Sequence, residues 1–185
     1  SWNSEIKISS DSINSNSCPS SAVSDENLYV FWHTNYSGNP EITFKRSINA
    51  GVNWEQEVRL TNAVGFSIWS SAAVSDSFVH VTWWDNRNGD YDIYYKRSTN
   101  GGVNWEPDVR LTDDPGISWR SCVSASGSNV HVVWYDSRDG TSEIYYKHSI
   151  DWGINWEPDT RLTNDFNLSD YPSLAVSGSS LHLVW

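Results

Sequence analysis

Methionine is missing from the chain altogether, and cysteine occurs only at Cys18 and Cys122. The two cysteines lack CxxC spacing, so neither a metal site nor a redox pair is indicated. They read as two buried thiols, with a disulfide as the alternative. Basic residues are scarce: 12 Lys and Arg stand against 23 Asp and Glu, a formal net charge of −11. Nucleic acid and anionic lipid both need a basic face, so neither is expected as a partner. No apolar run approaches the roughly 18 residues of a spanning helix, so no membrane insertion is expected. No useful window shows helical periodicity. Nothing in the chain reads as a signal peptide. With Ser1 first and Trp185 last, inside what other copies of the pattern use as a strand, it reads as a segment of a longer protein or a processed product.

What is present instead is aromatic surface and a repeat. Hydrophobic residues make up only 38 %, but 12 Trp, 9 Tyr and 5 Phe can replace many aliphatic side chains in a core, because each ring buries a large area. The stretch Ser98-Thr99-Asn100-Gly101-Gly102-Val103-Asn104-Trp105 recurs at Ser47–Trp54 and Ser149–Trp156, each copy starting 51 residues after the last. A fixed period of this size signals a repeat architecture. Between the copies, four short segments recur in order. Segment A is rich in small residues (Ser20–Ser24, Ser71–Ser75, Cys122–Ser126, Ser173–Ser177). Segment B alternates with period two: Leu28, Val30 and Trp32 share one face, matched by Val79, Val81, Trp83 and by Val130, Val132, Trp134. The opposite face, Tyr29 and Phe31, then His80 and Thr82, then His131 and Val133, is semi-apolar too, so each sheet should be covered on both sides. Segment C is Glu41–Arg46, Asp92–Arg97 and Glu143–His148; segment D is Glu57–Thr61, Asp108–Thr112 and Asp159–Thr163. Trp2–Ser9 matches D, with Ile6-Lys7-Ile8-Ser9 standing for Val-Arg-Leu-Thr.

The turn between C and D has its own logic. Gly51, Gly102 and Gly153 can take positive φ without steric cost, and Asn49, Asn100 and Asp151 place a side-chain oxygen where turn N–H groups can reach it. Trp54, Trp105 and Trp156 are expected to fold back over the hairpin. The pattern Ser-x-Asn/Asp-x-Gly-x-x-Trp resembles the Asp-box of sialidase-like (BNR-repeat) β-propellers, and the likeness runs over essentially the whole chain. It implies an all-β fold: a β-propeller of four-stranded antiparallel blades, here an incomplete array of D, three ABCD sets, then A and B. Residues 1–185 then form a single domain. Its blades make an open arc of a larger ring, or a ring that a second chain or missing blades complete. The resemblance also implies that the box is structural, and Asn in two of three copies argues against calcium there.

Repeated residues should serve the blade, and function should lie where the symmetry breaks. His80, His131 and His182 occupy one B position in successive copies and are not expected to converge on a metal. Asp85-Asn86-Arg87 and Asp136-Ser137-Arg138 put Arg where a calcium loop needs an oxygen, so they read as B–C turns with local ion pairs. No metal or cofactor is expected. Sialidases clamp a carboxylate with three arginines and use a tyrosine nucleophile with acidic partners. Here Arg59, Arg110 and Arg161 repeat, as do Arg87 and Arg138, and Arg46 and Arg97; only Arg120 stands alone, in register with Cys18, Trp69 and Tyr171. The D–A connections diverge most and carry the candidate binding residues Trp69, Trp119, Arg120, Asp170 and Tyr171, with Phe66 and Phe166 nearby. The same side chains could instead plug the ring or pack blade on blade. The expected function is a non-catalytic extracellular or cell-surface module that binds a glycan or a protein through its D–A and B–C loops. The alternative is part of a sialidase-like exo-glycoside hydrolase.

Overall fold

A computed structural model of the chain describes residues 5–9 and 16–185. Three four-stranded antiparallel sheets follow one another without any helix among the described residues. The first is β1 (Asn16–Ser24), β2 (Asn27–Tyr36), β3 (Asn39–Ser47) and β4 (Val58–Arg59), paired in that order. The second is β5 (Ser67–Ser75), β6 (Phe78–Asn88), β7 (Asp90–Ser98) and β8 (Val109–Arg110). The third is β9 (Ser118–Ser126), β10 (Asn129–Asp136), β11 (Glu143–Ser149) and β12 (Thr160–Arg161). A two-stranded sheet, β13 (Ser173–Ser177) and β14 (Ser180–Val184), closes the series. Segments A to D are thus the four strands of a blade, with D reduced to two paired residues. The small-residue strands lie innermost in series, β1 against β5, β5 against β9, and β9 against β13.

Each sheet uses both faces, as the double alternation of segment B requires. The trailing face of the first sheet (Tyr29, Phe31, Ile42, Phe44) forms one core with the leading face of the second (Val79, Val81, Trp83, Tyr94). The trailing face of the second (Trp84, Ile93, Tyr95) does the same with Val123, Val130, Val132, Trp134 and Tyr145 of the third. Val133 and Ile144 then receive Leu174 and Leu183 of the last sheet. The array is open: no strand pairing joins the first and last sheets among the described residues.

Polar groups tie the blades together with the same regularity. Lys96 Nζ donates to Leu60 O at 3.0 Å and Lys147 Nζ to Leu111 O at 2.7 Å, both across a blade boundary. Lys45 Nζ makes the equivalent bond to Ile8 O at 2.9 Å. The segment Glu5–Ser9 therefore sits where the D strand of a preceding blade belongs, although it forms no ladder itself. The Trp2–Ser4 part of that match lies outside the described residues. Arg59, Arg110 and Arg161 pair with buried Glu41, Asp92 and Glu143 at 2.8, 2.9 and 2.7 Å, so this arginine column is structural. Asp85 and Asp136 are buried and accept from Trp83 Nε1 and Trp134 Nε1 at 2.9 and 2.8 Å, and from Arg87 and Arg138. In the first sheet Thr34 takes that place, accepting from Trp32 Nε1 at 2.9 Å.

The C–D turn is built three times from the same bonds. Ser98 Oγ accepts from Gly102 N at 2.8 Å and donates to Asn100 Oδ1, which also accepts from Asn104 N at 2.9 Å. Gly51, Gly102 and Gly153 have φ of 83°, 80° and 80°. The ring of Trp54 lies against its own turn, 4.0 Å from where a Cβ at Gly51 would sit. Trp105 and Trp156 also meet the preceding blade, Trp105 edge-on to Phe44 at 5.3 Å and Trp156 to Tyr95 at 5.0 Å, so the ring adds to the interblade apolar surface. The cysteines differ from expectation: both are free and half-buried, rather than buried.

Candidate functional site

Strand A begins earlier than its small-residue run suggested. β5 starts at Ser67 and β9 at Ser118, so Trp69, Trp119 and Arg120 lie on strands and not in the D–A loops. The reason is a bulge. The register between β1 and β2 slips between Ser17 and Ser20, that between β5 and β6 between Ile68 and Ser71, and that between β9 and β10 at the same place. An unpaired residue in such a bulge can be re-aimed away from the pleat. Cys18, Trp69 and Arg120 are the residues there, with φ of 53°, 58° and 48°; Tyr171, just ahead of β13, has φ 54°.

Positive φ is uncomfortable for residues with a Cβ, and glycine would relieve it. The chain instead carries four large or reactive side chains, all different, at this one position. All four line a single cleft of about 330 Å³ at the innermost strands, with Pro19, Ser70, Ser71, Ser121, Cys122 and Pro172.

At its centre Arg120 is held between two rings, with Cζ 3.8 Å from the centroid of Trp69 and 4.6 Å from that of Tyr171. A guanidinium stacked on both faces offers only its in-plane N–H groups to a ligand, and it offers them pre-oriented. The Tyr135 phenol lies close enough to feel its charge. Burial raises the pKa of Tyr135, with Asp170 adding to the shift and Arg120 opposing it, so the phenol stays protonated. Burial also raises that of the Cys18 thiol, against the pull of Arg120. Trp69 has no free face, since Trp84 stacks behind it at 6.0 Å. Tyr171 is 63 % exposed and supplies the open ring of the cleft.

The other two candidates lie elsewhere. Trp119 faces away from the cleft, stacked on Trp84 at 5.3 Å and edge-on to Tyr135 at 5.7 Å, and so packs blade on blade. Asp170 accepts from Ser142 Oγ at 3.0 Å and steadies the connection ahead of β13. Tyr135 was not singled out from sequence, but its column of His33, Trp84 and Tyr135 breaks the repeat as clearly as the arginine column does. His80 and His131 bond Tyr95 and Tyr146 at 2.6 and 2.7 Å, and His182 is exposed on β14. Burial, with Arg97 adding to it, brings the pKa of His80 down to about 3. Among the described residues no cluster of His, Cys, Asp and Glu is placed to hold a metal ion.

No family model and no curated protein matches the chain. Solved structures do resemble it. A Trypanosoma rangeli sialidase in complex with 2,3-difluoro-KDN superposes with a TM-score of 0.66 at 12 % identity, over 91 % of this chain and 33 % of its own. A Penicillium chrysogenum α-L-arabinanase complexed with arabinobiose gives 0.62 at 14 % identity, over 85 % and 53 %. The catalytic domain of a Coprinopsis cinerea GH62 α-L-arabinofuranosidase gives 0.52 at 13 %, over 88 % and 55 %. The chain thus spans about a third of the sialidase and about half of the other two. Identities this low speak to fold alone, and the fold is that of a sialidase-like β-propeller, present here as an open run of blades.

Proposed function

We propose that residues 1–185 form one domain of Asp-box (BNR) blades, extracellular or cell-surface, that binds a glycan at the axial cleft. The observation that carries this reading is the column Cys18, Trp69, Arg120 and Tyr171: four unlike side chains kept at a positive-φ position where the fold itself would favour glycine. Arg120 supplies in-plane donors to sugar oxygens or a sugar carboxylate, Tyr171 a ring face, and Ser70 and Ser121 hydroxyls at the wall. The sialidase and arabinanase that share the fold were solved with a sugar derivative and a disaccharide bound, which favours a glycan over a protein ligand. Saturation-transfer NMR against acidic and neutral oligosaccharides tests the proposal. Binding weakened roughly tenfold or more by Arg120→Ala, in protein that remains folded, is expected. Failure of every sugar class to bind the folded chain would overturn it.

The second reading is part of an exo-glycoside hydrolase, and the same structural neighbours favour it. Glycosidases commonly cleave with a pair of carboxylates, and the cleft lining named above has none, so those groups would come from further blades. Turnover of a fluorogenic glycoside by a longer protein containing this chain, abolished by Arg120→Ala, would establish that reading over the binding module.

A further inference from the structure

A second cleft, of about 360 Å³, opens between the first two blades, at the other end of their innermost strands from the axial column. Ser24 on its wall stands six residues beyond Cys18 on β1, or roughly 20 Å along the strand. The A–B turns of both blades and the C–D turn of the second enclose it, so its walls belong to complete blades. The matching interface between the second and third blades is plugged. Phe78 and Trp152 stack there at 5.4 Å, where the first interface has Asn27 and Gly101. The polar pairing differs as well. His80 and His131 bond Tyr95 and Tyr146, but the first blade has Tyr29 and Phe44 in those places. Phe44 offers no hydrogen-bond partner, so Tyr29 only stacks on it, at 6.4 Å. Tyr29 is 2 % exposed, and its hydroxyl has no hydrogen-bond partner among the described residues. That hydroxyl reaches the cleft: it lies 3.4 Å from where a Cβ at Gly101 would sit.

Two carboxylates line the same space. Asp25 and Asp76 hold φ of 54° in successive A–B turns, where the third and fourth turns have Gly127 and Gly178 at 54° and 57°. The turn itself therefore does not need the acid. Neither carboxylate makes an ion pair among the described residues. Arg46, the cation of the wall, is committed to Glu55 at 2.7 Å and to Gly101 O. A buried hydroxyl without a partner is costly, and a ligand oxygen in the cleft would supply one. We propose that this interblade cleft binds a small hydroxylated amine, an amino sugar being the simplest case. Asp25 and Asp76 take its ammonium group, and Tyr29 and Asn27 take its hydroxyls. The site is separate from the axial cleft, whose charged group is the cation Arg120, and it does not rest on the glycan reading.

Amide NMR of the 185-residue chain titrated with glucosamine tests the proposal. Saturable shifts are expected at Asn27, Ser77 and Gly101, and added salt should weaken them because the acids are exposed. Asp25→Asn and Asp76→Asn should each weaken binding roughly three- to fivefold. Tyr29→Phe should weaken it about threefold or more without lowering the urea midpoint, because the hydroxyl it removes is unbonded in the free protein. Asn27→Phe combined with Gly101→Trp copies the plug of the next interface, where Trp152 already holds φ of 57°, and should abolish binding. Absence of saturable shifts at these amides overturns the inference. So does equal binding of N-acetylglucosamine, which lacks the charge, or of n-butylamine, which lacks the hydroxyls. Undiminished binding to the plugged variant overturns it too. Asp25→Asn and Asp76→Asn lie on exposed turns and carry the test should the plugged variant fail to fold.

Discussion

The repeated columns and the axial column obey opposite rules. At the periphery, Ser47, Ser98 and Ser149 make the same bonds to Gly51, Gly102 and Gly153 in all three turns, at 2.9, 2.8 and 2.9 Å. Where the first blade lacks the buried aspartate of the others, Thr34 still receives the tryptophan N–H. Chemistry is preserved there even when the residue changes. At the axis the backbone is preserved, with φ between 48° and 58° in four copies, while the side chain is Cys, Trp, Arg or Tyr. A constant bond network with a constant job marks the scaffold. A constant backbone with an unconstrained side chain marks a place where the scaffold has been satisfied and something else selects the residue.

The contrast is sharpest at Asp136, where the largest loss is expected. Its carboxylate is 1 % exposed and accepts from Trp134, Ser118 and Arg138. Burial alone would raise its pKa, but the hydrogen bonds from Arg138, Trp134 and Ser118 outweigh that and hold it below the usual carboxylate range. Asp136→Ala strands the buried Trp134 and Ser118 donors and leaves Arg138 only Asp114 and Asp159, and should cost about 2–4 kcal/mol in urea unfolding. Arg120→Ala, at the axis, should change stability by no more than about 1 kcal/mol, since it removes only ring contacts at a partly open cleft. A loss at Arg120 as large as that at Asp136 would erase the distinction between the two kinds of column.

The turn glycines give an effect of similar size or smaller, with an internal control. A Cβ at Gly153 would lie 2.7 Å from Tyr95 Cζ of the preceding blade, and one at Gly102 would lie 2.8 Å from Phe44 Cζ. At Gly51 the nearest atom is Leu28 Cδ1, in the same blade at 3.2 Å. Gly153→Val therefore combines positive φ with an interblade clash, for roughly 2–4 kcal/mol, while Gly51→Val faces mainly the φ cost of about 1–2 kcal/mol. Equal losses in urea titrations of the two variants would mean that blade contact contributes nothing at this turn.

Much of this organisation was legible in the sequence. The period follows from the recurring turn and the two-faced B strand from alternation, the four-stranded blade is what the Asp-box resemblance implies, and the glycine and serine of each turn follow from backbone sterics and local hydrogen bonding. The interblade contacts of Trp105 and Trp156 were not legible, because Phe44 and Tyr95 belong to the preceding blade and only the packed stack brings these rings together. The cleft was half legible. Alignment put Arg120 in register with Cys18, Trp69 and Tyr171, but the bulge that turns them to the axis depends on a register slip, and no residue type announces it. Trp119 shows the cost: adjacent in sequence to a cleft residue, it points into the blade interface because neighbouring positions on a strand face opposite ways, while Asp170, in the connection ahead of β13, turns to Ser142.

The least of the expected effects separates the three turns from one another. Asn49 and Asn100 accept with a neutral amide oxygen, whereas Asp151 accepts with a carboxylate from Asn155 N at 2.9 Å, Ser149 Oγ at 2.7 Å and Asn155 Nδ2 at 2.7 Å. These bonds to the charged form, the one from the Asn155 backbone first, bring its pKa down to about 2. A carboxylate whose folded pKa lies below its unfolded value of about 3.9 adds stability that is complete above that value and lost as pH falls toward the folded one. The third turn should therefore loosen in acid while the first two do not. Asp151→Asn makes the turns alike, and the remaining acids are common to both proteins, so they cancel in the comparison. The wild-type urea midpoint should exceed that of the variant at pH near 5, and the gap should narrow steadily toward pH near 2. Parallel midpoints across that range would show that the carboxylate does for its turn no more than the amides do for theirs.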